Sequence, residues 1–361
     1  MSFSETPTFI RWLLLPFLQA LFVSGVLTYA WQNFVKKIGV VRFPGGRHRH
    51  ARPTPMWGGI LIAAIIIVTV LVRSDIVETS QIVAMLLGAF LLLVVGALDD
   101  IVDLGWAFQL ASHVAAGVLL VWGGGVLSYV NSPFGGAIVL DSFRMTLPHW
   151  LCAASACEIP LLGGFVTVVW VVLVINAVNW FDGTDGAAVL VSGTALLAIG
   201  SLSLRTDVMQ PALAIIAAIA AGTAFGFLPF NIPQAKQFLG TSGATTLGFF
   251  VAALAVLAGA KVATAATVLV LPAADMLFVI ASRIRAGVSV VKPDNRHVHH
   301  WLKARGWSSR AIFILLFFVS ALLGVFSVLL PHPIKTIVLV GIFTGVVAWF
   351  AIARRPLGRE P

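Results

Sequence analysis

The chain has 361 residues, 59% of them hydrophobic and only 10% charged, with a mean hydropathy of +1.01. A soluble domain carries about 25% charged residues, so a soluble globular protein is excluded. The net charge of +9 would suit a nucleic-acid partner, but its distribution along the chain excludes that too.

Apolar runs of 17 residues or more recur along the whole length, each long enough to cross a bilayer core of about 30 Å as a helix. Eleven are predicted, near 9–31, 57–73, 81–98, 106–124, 161–178, 186–204, 211–229, 244–260, 263–282, 311–331 and 336–353. The first lacks a small-residue cleavage site followed by a soluble domain, so a retained span is expected rather than a signal peptide. With no repeat and no low-complexity tract, residues 1–361 read as one all-α polytopic membrane domain. If the 32–56 connection is cytoplasmic, that side collects six Lys/Arg there, Lys236, seven in 283–310 and three after 353, leaving six for the other side. This bias predicts a periplasmic N-terminus and a cytoplasmic C-terminus. A basic face also suits anionic headgroups and phosphorylated substrates.

The outer connections RSDIVETS, RTDVMQ and PHPIK read as turns of mixed charge without a pattern. The longer 125–160 segment includes GGAIVLDSFRMTLP, which has the pattern of a small hairpin, read as a surface cover. Cys152 and Cys157 fall there. Compartment permits a disulfide, and two unpaired residues fit equally well because nothing in the sequence fixes their separation.

The inner connections carry the chemistry. LVVGALDDIVDL brings Asp99, Asp100 and Asp103 to the end of the third run, where a continuing helix would make them i,i+3 and i,i+4 neighbours. Carboxylates so close repel one another unless a cation sits among them, and acid at a helix C-terminus opposes the dipole. A solvated helix end therefore has a cost and no return, whereas a hard Mg²⁺ or Mn²⁺ suits oxygen donors.

VINAVNWFDGTDGAAVL sets Asn176, Asn179, Asp182 and Asp185 at the edge of hydrocarbon with no Lys or Arg beside them. An ordinary Asn/Asp/Gly turn explains any two of these residues but not six, counting Gly183 and Gly186, within eleven positions. The amides can serve a sugar, a base or a phosphate. Neutralisation must come from a metal or from the basic loops.

KPDNRHVHHWLKARGW places His297, His299 and His300 beside Arg296, Lys303 and Arg305. As a zinc site it lacks the known spacings. A cationic cradle for a diphosphate fits better, and a basic patch touching lipid heads does not explain three His in four positions. HRHARPTPMWGG supplies His50, Arg52, a stiff Pro-Thr-Pro and Gly58-Gly59, which could admit a close substrate approach.

Together these loops resemble the polyprenyl-phosphate N-acetylhexosamine-1-phosphate transferases, membrane enzymes that begin O-antigen, teichoic-acid and peptidoglycan lipid intermediates. The likeness runs from about 36 to 310, with matching loop order. His50 and PTPMWGG resemble that family's His…Pro-Thr-Pro…Gly-Gly loop, and LDDIVDL its Asp-Asp motif. NAVNWFDGTDG is similar to Asn-x-x-Asn-x-x-Asp-Gly-x-Asp-Gly, and RHVHH to His-x-His-His. The resemblance implies metal and catalytic roles for Asp99, Asp100 and Asp182, with Asp185 also at the metal. It implies substrate contacts for His50, Asn176, Asn179, Asp185, Asn231, Lys236, Arg296, His297, His299 and His300. Which aspartate acts as base stays open.

Two departures stand out. In FLGTSGA, Thr241 stands where the family has a metal-binding aspartate and Ala244 where it has serine. Met56-Trp57 replaces an Arg-Gly of many O-antigen-type members.

The implied reaction is attack of a polyprenyl phosphate on the β-phosphate of a UDP-N-acetyl sugar with release of UMP, in a bacterial inner membrane, with Mg²⁺ (or Mn²⁺) as cofactor. A homodimer is compatible with it. A homologue impaired by Thr241, binding lipid phosphate or nucleotide sugar, is the first alternative. A transporter using the acids as a relay is the second, but it calls for polar residues in mid-span and on both faces.

Overall fold

The computed structural model describes residues 6–42, 53–77, 79–131, 136–146, 158–259, 261–291 and 296–353. His50, Arg52, Cys152 and Cys157 lie outside the described residues. The N-terminal helix begins as α1 (Thr6–Phe9), passes through a π turn at Ile10–Leu14 and continues as α2 (Leu15–Lys37). Lys36 and Lys37 in its last turn complement the helix dipole. There follow α3 (Gly58–Leu71), α4 (Ser80–Val102), α5 (Trp106–Trp122), α6 (Leu161–Phe181), α7 (Ala187–Ser203), α8 (Pro211–Asn231) and α9 (Gly240–Leu257). The chain closes with α10 (Val262–Val268), α11 (Val270–Arg285), the short α12 (Val298–Ala304), α13 (Ser309–Leu329) and α14 (His332–Ala353).

Every one of the eleven apolar runs is helical, but fewer meet the length and composition of a crossing helix. Six do so among the described residues, and a seventh is added if α10 and α11 form one bent span. The predicted run 263–282 is broken by a 74° bend between those two helices. Pro272 has no N–H for the carbonyl of Val268, and its ring crowds that carbonyl; α10 ends at Val268. The chain is a multi-pass helical membrane protein.

The core is built around α9, buried from Ser242 to Leu257 and packed by α3, α4, α6 and α7. Small residues let the helices close in, as membrane packing requires. A Cβ on Gly96 of α4 would stand 2.5 Å from Ser242 Cα, so only glycine permits this approach, and it carries the end of α4 onto the first turn of α9.

Three short ladders complete the fold. β1 (Val41–Arg42) pairs antiparallel with β2 (Thr54–Pro55), Val41 opposite Pro55. β3 (Tyr129–Asn131) pairs with β4 (Ala137–Val139), and β5 (Arg144–Thr146) with β6 (Glu158–Pro160). The hairpin expected within GGAIVLDSFRMTLP therefore does not close on itself. Its two halves are β4 and β5, and each takes a partner outside the stretch.

Candidate active site

Helix direction gathers the chemistry at one end of the bundle. There α4 and α6 finish, α7 and α9 begin, and α12 lies across them. Asp99 is buried and accepts from Gln109 Nε2 of α5 at 2.8 Å. Asp100, one residue on, faces α9. It accepts from the Thr241 amide at 2.7 Å, the Ser242 hydroxyl at 2.8 Å and the Ser242 amide at 3.4 Å. A carboxylate on a helix N-terminus is stabilised by the dipole and the unpaired amides. Gly240 is required here: its φ is +76°, and a Cβ would stand 2.6 Å from Asp100 Oδ2.

Asp103 does not extend the acidic face. The helix stops at Val102, and Asp103 caps it in the left-handed region with φ +53°, exposed.

The Asp182–Gly186 turn lies between α6 and α7. Asp185 accepts from the Ala235 amide at 3.3 Å. Asn231 grips the turn, with Oδ1 accepting from the Gly186 amide at 3.0 Å and Nδ2 donating to Gln237 O at 2.9 Å. At 2% exposure and with both ends of its amide engaged, Asn231 positions the loop and does not present itself to a substrate. Asn176 sits deeper in α6, bonded to Val172 O at 2.8 Å and near His113 Nδ1 at 3.2 Å, so it is turned toward α5. Asn179 is half-buried, one turn before Asp182. Lys236 is exposed next to Ala235, with its carbonyl held by Gln32 Nε2.

Asp182 accepts no hydrogen bond from any described donor. Burial first, then the like charges of Asp185 and Asp100, push its carboxyl well above the usual range. The charges that act on it among the described residues are those acids. Arg296 donates to Ser282 O at 2.7 Å; Arg283 donates to Val290 O and lies 5.3 Å over the Trp180 ring. Arg296 thus braces backbone, and Arg283 braces backbone and aromatic surface.

A hard cation fits this set by its chemistry: oxygen donors, surplus negative charge and, among the described residues, no cation acting on Asp182. No three His, Cys, Asp or Glu side chains among the described residues are grouped closely enough to hold a metal ion by themselves. An ion here would keep positions open for water and phosphate oxygens, as Mg²⁺ does.

The three histidines stand over the acidic turn. A Cβ on Gly183 would lie 2.6 Å from His299 Cε1, so glycine lets the imidazole settle on the turn. His299 is buried, its Nε2 has no partner among the described residues, and burial pushes its proton affinity far down. The rings of His297 and His299 stack at 5.7 Å, and those of His299 and His300 lie 4.2 Å apart. Beside His299 and Thr184 opens an apolar cavity of about 300 Å³ walled by α7, α11, α12, α13 and α14.

Sequence reading missed Asp275. It is 1% exposed in α11. Its Oδ2 lies 2.7 Å from His297 Nδ1, and its Oδ1 accepts from the Val298 amide at 2.8 Å. One carboxylate thus orients the first histidine and seats α12. An acid inside an apolar helix was the available signal. Asp275→Asn is expected to lower turnover about tenfold or more and to change its pH profile. An unchanged profile with unchanged turnover would show that the pair only packs.

The Pro-Thr-Pro loop is scaffold. The Phe238 amide donates to Pro55 O at 2.9 Å, and the amides of Gly58 and Gly59 donate to Phe238 O and Leu239 O at 3.0 and 2.7 Å. A Cβ on Gly59 would meet Gly243 N at 2.0 Å. The paired glycines therefore admit the chain ahead of α9, where a substrate approach was expected.

Proteins similar to this chain are phosphoglycosyl transferases, and this helical bundle, with aspartates and a histidine helix at one end, is one. The glycosyl transferase family 4 model matches residues 82–259. The chain is 30% identical to an undecaprenyl-phosphate alpha-N-acetylglucosaminyl 1-phosphate transferase of Escherichia coli, over 86% of this chain and 82% of the relative. It is 28% identical to a decaprenyl-phosphate N-acetylglucosaminephosphotransferase of Mycolicibacterium smegmatis, over 88% and 84%. With a probable undecaprenyl-phosphate N-acetylglucosaminyl 1-phosphate transferase of Bacillus subtilis it shares 27% identity over 87% and 84%. The chain belongs to glycosyl transferase family 4.

Proposed function

We propose that the protein transfers an N-acetylhexosamine 1-phosphate, or that of a 6-deoxy relative, from a UDP-sugar to a polyprenyl phosphate in the bacterial inner membrane, opening a surface-polysaccharide pathway. An acceptor phosphate oxygen attacks the donor's β-phosphorus. A new phosphoanhydride forms, the α–β anhydride breaks, and UMP leaves. Such transfers depend on positioning and charge stabilisation more than on covalent participation.

The observation that carries this reading is Asp182, a carboxylate with no partner among the described residues, set among acids below three histidines. Of Asp99, Asp100, Asp182 and Asp185, no more than two would ligate Mg²⁺ directly, water and substrate phosphates completing its shell; when bound it supplies the charge that lets a diphosphate enter an acidic site. His297, His299 and His300 donate to diphosphate or sugar oxygens, with Asn179 and Lys236 at the rim. His50 keeps the substrate contact implied by its motif. The apolar cavity beside His299 offers hydrocarbon to the lipid next to the reacting phosphate. Conversion of radiolabelled UDP-GlcNAc to a lipid-extractable product by the purified protein with Mg²⁺ tests the reading. If no UDP-N-acetyl sugar yields such a product with any polyprenyl phosphate, it fails.

The charge bias supports a cytoplasmic active end. In a variant whose Cys152 and Cys157 are serine, cysteine at the exposed Ser308 should react only with reagents that reach the cytoplasm, and cysteine at the exposed Ser142 only with periplasmic ones. Swapped labelling overturns the orientation.

A further inference from the structure

The connections RTDVMQ and PHPIK look unrelated along the chain, but the fold brings them together. Helices α7 and α9 run away from the acidic end, and α14 starts at the opposite one, so Arg205, Lys261 and Lys335 all lie at the far end of the bundle. They are three of the six Lys/Arg outside the main basic face.

Lys335 is the anomaly. It is 6% exposed, and its ammonium donates to Thr264 Oγ1 at 3.1 Å with no carboxylate in salt-bridge distance among the described residues. An ammonium has three donors, and a lysine near a helix end ordinarily snorkels to water. This one is enclosed, and the charges that act on it are those of Lys261 and Arg205. Asp207, the acid of the cluster, is taken by Arg205 Nε at 3.0 Å. Thr264 sits on the first turn of α10, its amide bonded to Lys261 O at 3.0 Å, so the hydroxyl that holds Lys335 is fixed beside Lys261. The group has three cations and one engaged anion.

We propose that Arg205, Lys261, Thr264 and Lys335 form an anion site at the membrane surface opposite the active end, which takes the phosphodiester of an anionic phospholipid. Surplus positive charge at helix ends, next to apolar helix surface, matches a headgroup whose acyl chains lie along the bundle. A phosphate oxygen would supply the acceptors that the Lys335 ammonium lacks. The chemistry is shared with free phosphate, so the test separates the two.

The purified full-length enzyme in neutral detergent is titrated with phosphatidylglycerol, phosphatidylcholine or inorganic phosphate, reading bound lipid by native mass spectrometry and the thermal transition alongside. The wild type should retain phosphatidylglycerol over phosphatidylcholine and gain thermal stability from it. Lys335→Met and Lys261→Gln should each weaken that binding about tenfold, the value of one charge-assisted bond, and leave transferase activity at saturating substrates unchanged. Lys261→Gln keeps the test valid if the buried substitution perturbs folding. Equal retention of the two lipids by the wild type, or equal phosphatidylglycerol binding by wild type and both variants, would overturn the site. Stabilisation by inorganic phosphate that matches the lipid and is lost in the variants would overturn the lipid assignment.

Discussion

Asp182→Asn is expected to lower turnover by about 10²–10³-fold, the scale of losing one preorganised electrostatic group in a transition state, without unfolding the protein. The substitution keeps shape and removes charge. No described donor bonds to the Asp182 carboxylate, so no structural bond is lost. The variant should in fact be more heat-stable than the wild type in a chelator-containing buffer, because burial and the charges of Asp185 and Asp100 already disfavour the ionised form. Asp100→Asn is different. Asp100 accepts from the Thr241 and Ser242 amides and the Ser242 hydroxyl, so its loss should cost both turnover and thermal stability. Assay of lipid-linked product beside the thermal transition separates the two. Wild-type turnover in Asp182→Asn would end the acidic-site reading.

Thr241→Asp should lower the Mg²⁺ concentration for half-maximal rate by about three- to tenfold, the effect of one more charged oxygen ligand at partial exposure. Thr241 lies in the first turn of α9, and its amide is 2.7 Å from Asp100 Oδ1, so an added carboxylate would stand beside the acidic set on a favourable helix end. On the proposed reading, the natural threonine leaves the site one negative charge short of the family pattern that the sequence resembles, and the remaining carboxylates would serve an ion that completes its shell with water and diphosphate. The natural enzyme should therefore be active with weakened metal affinity. Mg²⁺-dependent thermal stabilisation, measured without substrate, should shift in the same direction. No transfer from the natural sequence at any Mg²⁺ or Mn²⁺ concentration, with activity appearing only in Thr241→Asp, would favour the impaired homologue. No change in rate or metal dependence would place the metal away from Thr241.

Much of this protein was legible along the chain. Apolar runs are local, so each predicted run became helical, one of them as two helices. The motifs LDDIVDL, NAVNWFDGTDG and RHVHH marked the candidate site because clustered acids and imidazoles at the edge of hydrocarbon have few other uses. What a polar side chain is used for is not local, and there only the tertiary structure decided. Asn231 and Asn176 look equivalent to Asn179 in sequence, yet one is spent holding the Gly186 and Gln237 backbone and another faces α5. Asp275 carried no motif and acquires its place only because α11 brings it under His297. Gly58 and Gly59 promised room for a substrate, and the chain ahead of α9 fills that room. The bend at Leu269 required Pro272 to be weighed against the apolar run around it. Hydrophobic periodicity sets which segments enter the membrane, through solvation that each residue feels by itself. Hydrogen-bond partners are set by which helix ends meet, and that is a property of the packed bundle.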